Sequence, residues 1–433
     1  MSHEYSESST GQLSKFTRRG FSVGIGTLTG IGTIAGSGQA QQQTVPMADT
    51  TYYVYRDADR YVVASSPTGD VVFTERSDDN AEEAFQYAFD NLPSTGGVVI
   101  ASPDVFQFSA PATIADNTTL IGHEGTRLVA SRVGSRNDPL PTDAQTNPLP
   151  RGHDLIRVRG DHVTVAGITF DGNDTQLDNH AVQADGCRDL LVANNRTVNG
   201  FQMAISFTDC RDIVIRNNRV ENPNWYGITS RGAPEGSDID LQRSENVVVV
   251  ENTVTGMKFN NIATYNVSNF TILGNVVSAG GHSLIACSPA QQGTIVGNVC
   301  RDLEIFGGDP GGEAGIELEY KESHITDAIA GTAEETSSDI TVVGNHVENC
   351  PVGIITRTVP ADANNASSAR ANKRPYNFTV TGNTVNGCET GIRVRSGAAS
   401  VVATNTLRDN TTHFDIHDDY TDGLQRGLNA TGQ

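Results

Sequence analysis

Lysine is nearly absent from the 433-residue chain. Four of its 30 basic residues are lysine (Lys15, Lys258, Lys321 and Lys373). Against those 30 stand 51 acidic residues, giving a formal net charge of −21. Phosphates would be repelled over most of such a surface, which excludes nucleic acid as a partner. Beyond the N-terminal segment no apolar run is long enough to span a bilayer, so no membrane insertion is expected of the mature form. The ten histidines show no metal-ligand spacing. His413 and His417 lie four apart, but near an expected strand end rather than on a helix, which argues against transition-metal chemistry. No phosphate-cradling or dinucleotide-binding motif occurs.

What the chain does have is glycine, asparagine and a period. The 44 glycines and many short Val/Ile runs suit strands joined by tight turns. Asn195, Asn218, Asn252, Asn275, Asn298, Asn345, Asn383 and Asn405 each sit in one small phrase. It consists of a hydrophobic pair, a small or polar residue, Asn, any residue, then usually an apolar one. The intervals are 23, 34, 23, 23, 47, 38 and 22 residues, so three of them carry insertions into a shorter base period. A fixed period in this range means stacked repeats. Each unit holds three short strands and their turns, which is one coil of a parallel β-helix; the expected fold is an all-β solenoid of about ten coils. The recurring Asn is expected to be structural, its stacked amides satisfying the turn backbone.

The N-terminus divides differently. Residues 1–40 read as an export signal: Thr17-Arg18-Arg19-Gly20-Phe21, a short weakly apolar stretch, then Gly38-Gln39-Ala40. Twin arginines before such a stretch match a Tat-type address, and without a Cys near Ala40 no lipid anchor is expected. The mature protein is therefore expected outside the cell or on its surface. Residues 41–78 form an expected β-hairpin extension. Asp79-Asn80-Ala81-Glu82 resembles a capping box, and Ala81, Phe85, Ala88, Phe89 and Leu92 follow on one helical face. A short helix there would plug the open end of the solenoid. Helix and coils are expected to fill 79–418, with a flexible tail over 419–433. Nothing calls for a partner chain, so a monomer is expected.

Over residues 79–130 the chain resembles the N-terminus of the pectate-lyase-like, right-handed β-helix families. The likeness rests on the helix, then Gly96-Gly97-Val98-Val99-Ile100, then Thr119-Leu120-Ile121-Gly122. It implies a right-handed solenoid and an extracellular carbohydrate-active protein. The families include lyases, hydrolases, epimerases and non-catalytic members, so fold alone does not choose among them. Acidity with lysine depletion similarly resembles proteins of halophilic archaea.

The strand ahead of each Asn phrase can be stacked coil on coil. Alternation sends one set of residues inward and leaves the residues between them facing solvent in columns. One outer column reads Arg157, Gln183, Ser206, Thr229, Ala263, Ile285, Glu317, Ile355 and Arg393. The next reads Arg159, Asp185, Thr208, Arg231, Tyr265, Cys287, Glu319, Arg357 and Arg395. A third, before the first small residue, reads Asp154, His180, Met203, Tyr226, Asn260, His282, Ala314, Val352 and Thr390. Insertions at 232–241, 305–312, 322–338 and 358–375 flank this strand, so its face is expected to be a walled groove that binds polysaccharide.

Three chemistries fit that groove. Tyr226-Gly227 is similar to the Y-G of the Y-G-F-D-P-H motif in alginate lyases and mannuronan epimerases, although Thr229 and Arg231 stand where Asp and His would be. Gly281-His282-Ser283-Leu284 is similar to the G-H-G motif of β-helix polygalacturonases, with Ser for the second Gly. The first reading is a lyase acting on an acidic glycan. β-Elimination needs a base for the C5 proton, an acid for the leaving oxygen, and donors for the carboxylate. Tyr226 would serve as base or acid if Arg231 favours its phenolate. Arg159, Arg231, Asn260, His180 and His282 would hold the carboxylate, with Asp185, Tyr265 and Lys321 completing the subsite. The second reading is an inverting hydrolase. Glu317 and Glu319, two apart on one strand face, would lie roughly 6.5–7 Å apart. The third is a non-catalytic glycan-binding surface module. No cofactor is required by any of them; an all-oxygen Ca²⁺ cluster of Asp309, Glu313, Glu317 and Glu319 is the alternative use of those acids.

The cysteines stack too. Cys187 with Cys210, and Cys350 with Cys388, fall on adjacent coils, where strands sit roughly 4.8 Å apart. Each pair is a disulfide candidate in an oxidising compartment, or else a thiol stack. Cys300 is expected in the core.

Overall fold

The computed structural model describes residues 50–66, 68–76, 80–131, 133–135, 150–151, 153–175, 179–222, 224–230, 243–304, 314–321, 332, 335–359, 373–417 and 421–432. The export signal, Arg231, Asp309, Glu313 and the insertions at 232–241 and 305–312 lie outside them. So do most of the insertions at 322–338 and 358–375.

The chain winds into a parallel β-helix. Three long sheets of 15, 11 and 12 strands run along it, and each coil gives one strand to each sheet. We name them the ladder sheet, the groove sheet and the third sheet. From Gly97–Ala101 onward every pairing in the ladder sheet is parallel, with alternate residues inward. Ile213, Val247, Phe270, Ile295, Ile340 and their like fill the centre and are almost wholly buried.

The asparagine ladder is continuous. Asn275 Nδ2 donates to Asn298 Oδ1 and to the Val249 carbonyl, both at 2.9 Å, and the Asn275 backbone N–H donates to the same Oδ1 at 2.9 Å. The pattern repeats from Asn195 to Asn405. The long intervals do not break it: Asn218 reaches Asn252 at 3.0 Å, and Asn298 reaches Asn345 at 2.9 Å. Insertions therefore leave the coil between strands without disturbing the stack. The small or polar residue before each Asn is explained by backbone shape. Asn194, Asn217, Glu251, Gly274, Gly297, Gly344, Gly382 and Thr404 all take positive φ, which glycine adopts most easily.

Both ends depart from expectation. The N-terminal extension is three antiparallel strands, Thr51–Asp57, Arg60–Ser66 and Val71–Arg76, and the first also pairs in parallel with Gly97–Ala101. The helix Ala81–Asp90 sets Phe85 against Phe106 and Phe108 of the first coil, at 5.1 and 5.3 Å between ring centres. The helix cap is Asn80, which makes no side-chain cap bond, and Glu82 accepts from the backbone and hydroxyl of Ser109; Asp79, the first residue of the expected capping box, lies outside the described residues. At the other end, the tail expected to be flexible carries paired strands at Gln425–Arg426 and Ala430–Gly432. Asn429 adds one more rung, its Oδ1 accepting from Asn405 Nδ2 at 3.1 Å. It lies 24 residues after Asn405, at the base period.

All six cysteines are free thiols. The stacking of the two pairs is as expected, but the disulfides are not there. Cys187 and Cys210 meet as thiols, Sγ to Sγ at 3.1 Å, and Cys350 hydrogen-bonds Cys388. The hydrogen bond within each pair pushes the thiols of Cys187 and Cys350 up and holds those of their partners Cys210 and Cys388 below the ordinary thiol range.

Candidate active site

The groove-sheet strands bring most of the expected residues to one face, with a one-residue correction. Met203 pairs with Tyr226, and Ile228 with Ile262, as the sequence columns require. In the next coil, however, Ile262 pairs with Ile285, Ala263 with Ala286, and Thr264 with Cys287. Ile285 and Cys287 therefore point inward and Ala286 outward. Ser283, not His282, takes the register position shared by Tyr226 and Asn260. Leu284 and Ile285 are both fully buried, so alternation alone could not place them.

The shift gives His282 different company. Trp225, Phe259 and His282 now share a column and stack, at 4.8 Å and 19° for the first pair and 5.1 Å and 11° for the second. Sequence reasoning missed Trp225 and Phe259; the signal was an aromatic one residue before Tyr226 and before Asn260. Tyr226 leans on Phe259 at 5.6 Å and meets Tyr265 edge-on at 6.2 Å.

The face is not open to solvent throughout. Ser206, Thr229, Ala263, Glu317 and Ile355 are buried, because outward side chains of neighbouring coils cover one another. Tyr226, Lys321, Asp185 and His180 remain half-buried, and Arg159 is exposed. Tyr265 is buried and hydrogen-bonds Tyr226, while Asn260 Nδ2 donates to the Tyr265 hydroxyl. Burial, then the neighbouring Tyr226, Glu319 and Glu317, hold the Tyr265 phenol well above its ordinary range, so it stays protonated. The Asn260 carboxamide oxygen in turn accepts from the Ser283 backbone N–H at 2.9 Å.

Behind this lies a charge cluster that the sequence columns contained but did not single out. Arg357, from the coil after the glutamates, pairs with Glu317 and stands 3.6 Å from Glu319. Ser283 Oγ donates to Glu317 Oε2 at 2.6 Å. Burial pushes both carboxyls up, but Arg357, His282 and Ser283 outweigh it at Glu317 and hold that group below the carboxylate range. At Glu319 burial and the adjacent Glu317 win, and its carboxyl is pushed up to about 8.

The hydrolase spacing is absent for the same reason. Glu319 hydrogen-bonds Glu317, so the two carboxyls converge on one guanidinium and leave no room for a water and a sugar between them. A Ca²⁺ ion would have to displace Arg357 from those oxygens, so Glu317 and Glu319 do not fit the cation reading. Among the described residues no three His, Cys, Asp or Glu side chains form a metal cluster.

His180 and Asp185 lie two coils before Tyr226, and Arg159 three. Asp185 is raised chiefly by burial, against the pull of Arg159 and His180. A cavity of about 320 Å³ is lined by Thr332, Glu335, Thr336, Lys373, Arg374, Tyr376 and Ala398.

No family model and no curated protein sequence matches the chain. Solved structures do. One is the mannuronan C-5 epimerase AlgE6 A-module of Azotobacter vinelandii, at 13% identity over 81% of this chain and 95% of that one, TM-score 0.53. A second is an exopolygalacturonase of Thermotoga maritima, at 12% identity over 82% and 89%, TM-score 0.54. A third is the polygalacturonase of Erwinia carotovora subsp. carotovora, at 12% identity over 82% and 95%, TM-score 0.50. These are pectate-lyase-like β-helix proteins, and at such identities the likeness establishes the parallel β-helix fold. Among the described residues no helix is long and apolar enough to cross a membrane.

Proposed function

We propose that the protein is an exported polysaccharide-active enzyme that cleaves an acidic, uronate-containing glycan by β-elimination, with Tyr226 as the base. One observation carries the reading. Tyr226 is the half-exposed phenol at the centre of the groove sheet, and its neighbour Tyr265 is buried, protonated and itself bound by Asn260. The protonated Tyr265 phenol hydrogen-bonds Tyr226 and fixes the position of its oxygen on the groove face.

The electron count closes without a co-reactant. Tyr226 takes the C5 proton, and the C5–H pair becomes the C4=C5 double bond. The C4–O bond breaks, and the leaving glycosidic oxygen takes a proton. Arg159, exposed on the same sheet, suits the substrate carboxylate, as Arg231 would. The aromatic column of Trp225 and Phe259 offers apolar surface to a sugar face beside Tyr226. The epimerase and polygalacturonases that share the fold are consistent with a polysaccharide substrate. The buried, Arg357-bound glutamates disfavour hydrolysis.

Incubation with pectate, alginate and other polyuronates tests the proposal. Unsaturated uronate absorbs in the near ultraviolet, so rising absorbance supports elimination. New reducing ends without absorbance indicate hydrolysis, and binding without either indicates a non-catalytic module.

A further inference from the structure

Two and three coils before Tyr226, the groove sheet holds a second ordered set of titratable groups. Asp154 is 3% exposed. Its Oδ1 lies 2.6 Å from His180 Nδ1 and accepts the His180 backbone N–H at 3.0 Å. Its Oδ2 accepts from Arg157 Nε at 2.6 Å. Burial pushes this carboxyl up, but His180 and Arg157 together hold it below the usual carboxylate range. It is therefore an ionised acceptor, which assigns the hydrogen to Nδ1 and fixes the ring. Among the described residues nothing hydrogen-bonds His180 Nε2, and that atom is not among the buried polar atoms lacking a partner. The outer nitrogen is thus oriented and reachable.

The register relates this pair to Tyr226. His180 pairs with Met203, and Met203 with Tyr226, so all three side chains leave the same side of the sheet. Two strand spacings separate the outer two, roughly 10 Å. Met203 lies on the strand between them and is itself buried, 1% exposed. That span accommodates a pyranose ring, with a phenol on one side and an imidazole on the other.

We propose that His180, oriented by Asp154, is the proton-transfer partner of Tyr226 on a uronate residue lying over Met203. The assignment rests on the elimination reading above. As Tyr226 takes the C5 proton and the C4–O bond breaks, the His180 imidazolium gives its Nε2 proton to the leaving oxygen. The cycle ends with neutral His180 and protonated Tyr226, and solvent returns the proton from one to the other after product leaves. Asp154 is a positioning residue: it touches His180, not the substrate. The charged groups around His180 are Asp154, Arg157 and Arg159 from the preceding coil and Asp185 on its own strand. The following strand, Met203–Thr208, brings none.

The test measures unsaturated-product formation from about pH 5 to 9 for the full chain and for His180→Gln, Asp154→Asn and Tyr226→Phe. His180→Gln is expected to lower kcat about 100-fold or more while KM stays within a few-fold. Asp154→Asn is expected to lower kcat about 10-fold or more while KM stays within a few-fold, because Nδ1 loses its carboxylate acceptor and the ring its orientation. Melting temperatures check that each variant is folded, and His180→Gln, a half-buried position, carries the test if Asp154→Asn is not. Wild-type kcat in His180→Gln, with Tyr226→Phe inactive, overturns the assignment and leaves the elimination reading standing. Wild-type kcat in folded Asp154→Asn overturns the dyad. A wild-type protein that forms no unsaturated product from any polyuronate overturns both readings.

Discussion

Replacing Glu319 with glutamine isolates the electrostatics behind the site. Glu319 is 2% exposed and its carboxyl is pushed from an ordinary 4.5 to about 8 by burial and by Glu317, against Arg357 and Lys321. Between those values the folded protein keeps a proton that the unfolded chain releases. Stability from this group is therefore complete below about pH 4.5 and is lost as pH rises to about 8. At about 1.4 kcal/mol per pH unit the loss amounts to about 5 kcal/mol. Glutamine has nearly the shape of the protonated acid and does not titrate. Thermal melting of the wild type and Glu319→Gln should coincide near pH 5, where both carry a neutral group. At pH 9 the variant should melt several degrees higher. Titrating groups away from the pair affect both proteins alike, so the difference between them reports Glu319 together with its coupling to Glu317. A gap that stays constant from pH 5 to 9 would refute the account of the buried pair.

Three further outcomes are expected. Asn298→Ala strands the Asn275 backbone N–H and removes the side-chain bonds to Asn275 Nδ2, the Ile272 carbonyl and Asn345 Oδ1, an unsatisfied buried group being worth about 1–3 kcal/mol. It should cost about 3 kcal/mol or more by denaturant unfolding, against about 1 kcal/mol for the half-exposed end rung in Asn429→Ala; equal costs would deny the ladder its role. Arg357→Gln leaves two buried carboxyls without their cation and should cost about 3–5 kcal/mol, partly restored by adding Glu317→Gln. Replacing Arg18 and Arg19 together by lysine should retain the protein inside the cell, measured by fractionation, and undiminished export would remove the twin-arginine reading.

The repeat was legible because one amide per coil does one job. Asn195 through Asn405 are each buried, each paired to the next, and each preceded by a left-handed residue, so the phrase is a direct print of backbone geometry. The same ruler failed between residues 281 and 288, where Leu284 and Ile285 are both apolar and period-two alternation has two solutions. It also could not show that Glu317 and Glu319, outward by alternation, would be buried. That depends on Arg357, which lies 40 residues beyond Glu317 in sequence across an insertion and reaches it only through coil stacking. Asp154 and His180 were adjacent in the columns, yet their hydrogen bond depends on side-chain direction, which register does not give. Asn429 was missed because the last coil lacks the apolar pair of the earlier phrases.

The central claim is that a tyrosine, not the glutamate pair, does the chemistry. The most direct test compares formation of unsaturated product by Tyr226→Phe and Glu319→Gln, both checked for folding by melting. The account predicts that Tyr226→Phe loses turnover while Glu319→Gln, which keeps the neutral form already present at pH 7, retains it. Turnover retained in Tyr226→Phe and lost in Glu319→Gln would contradict it.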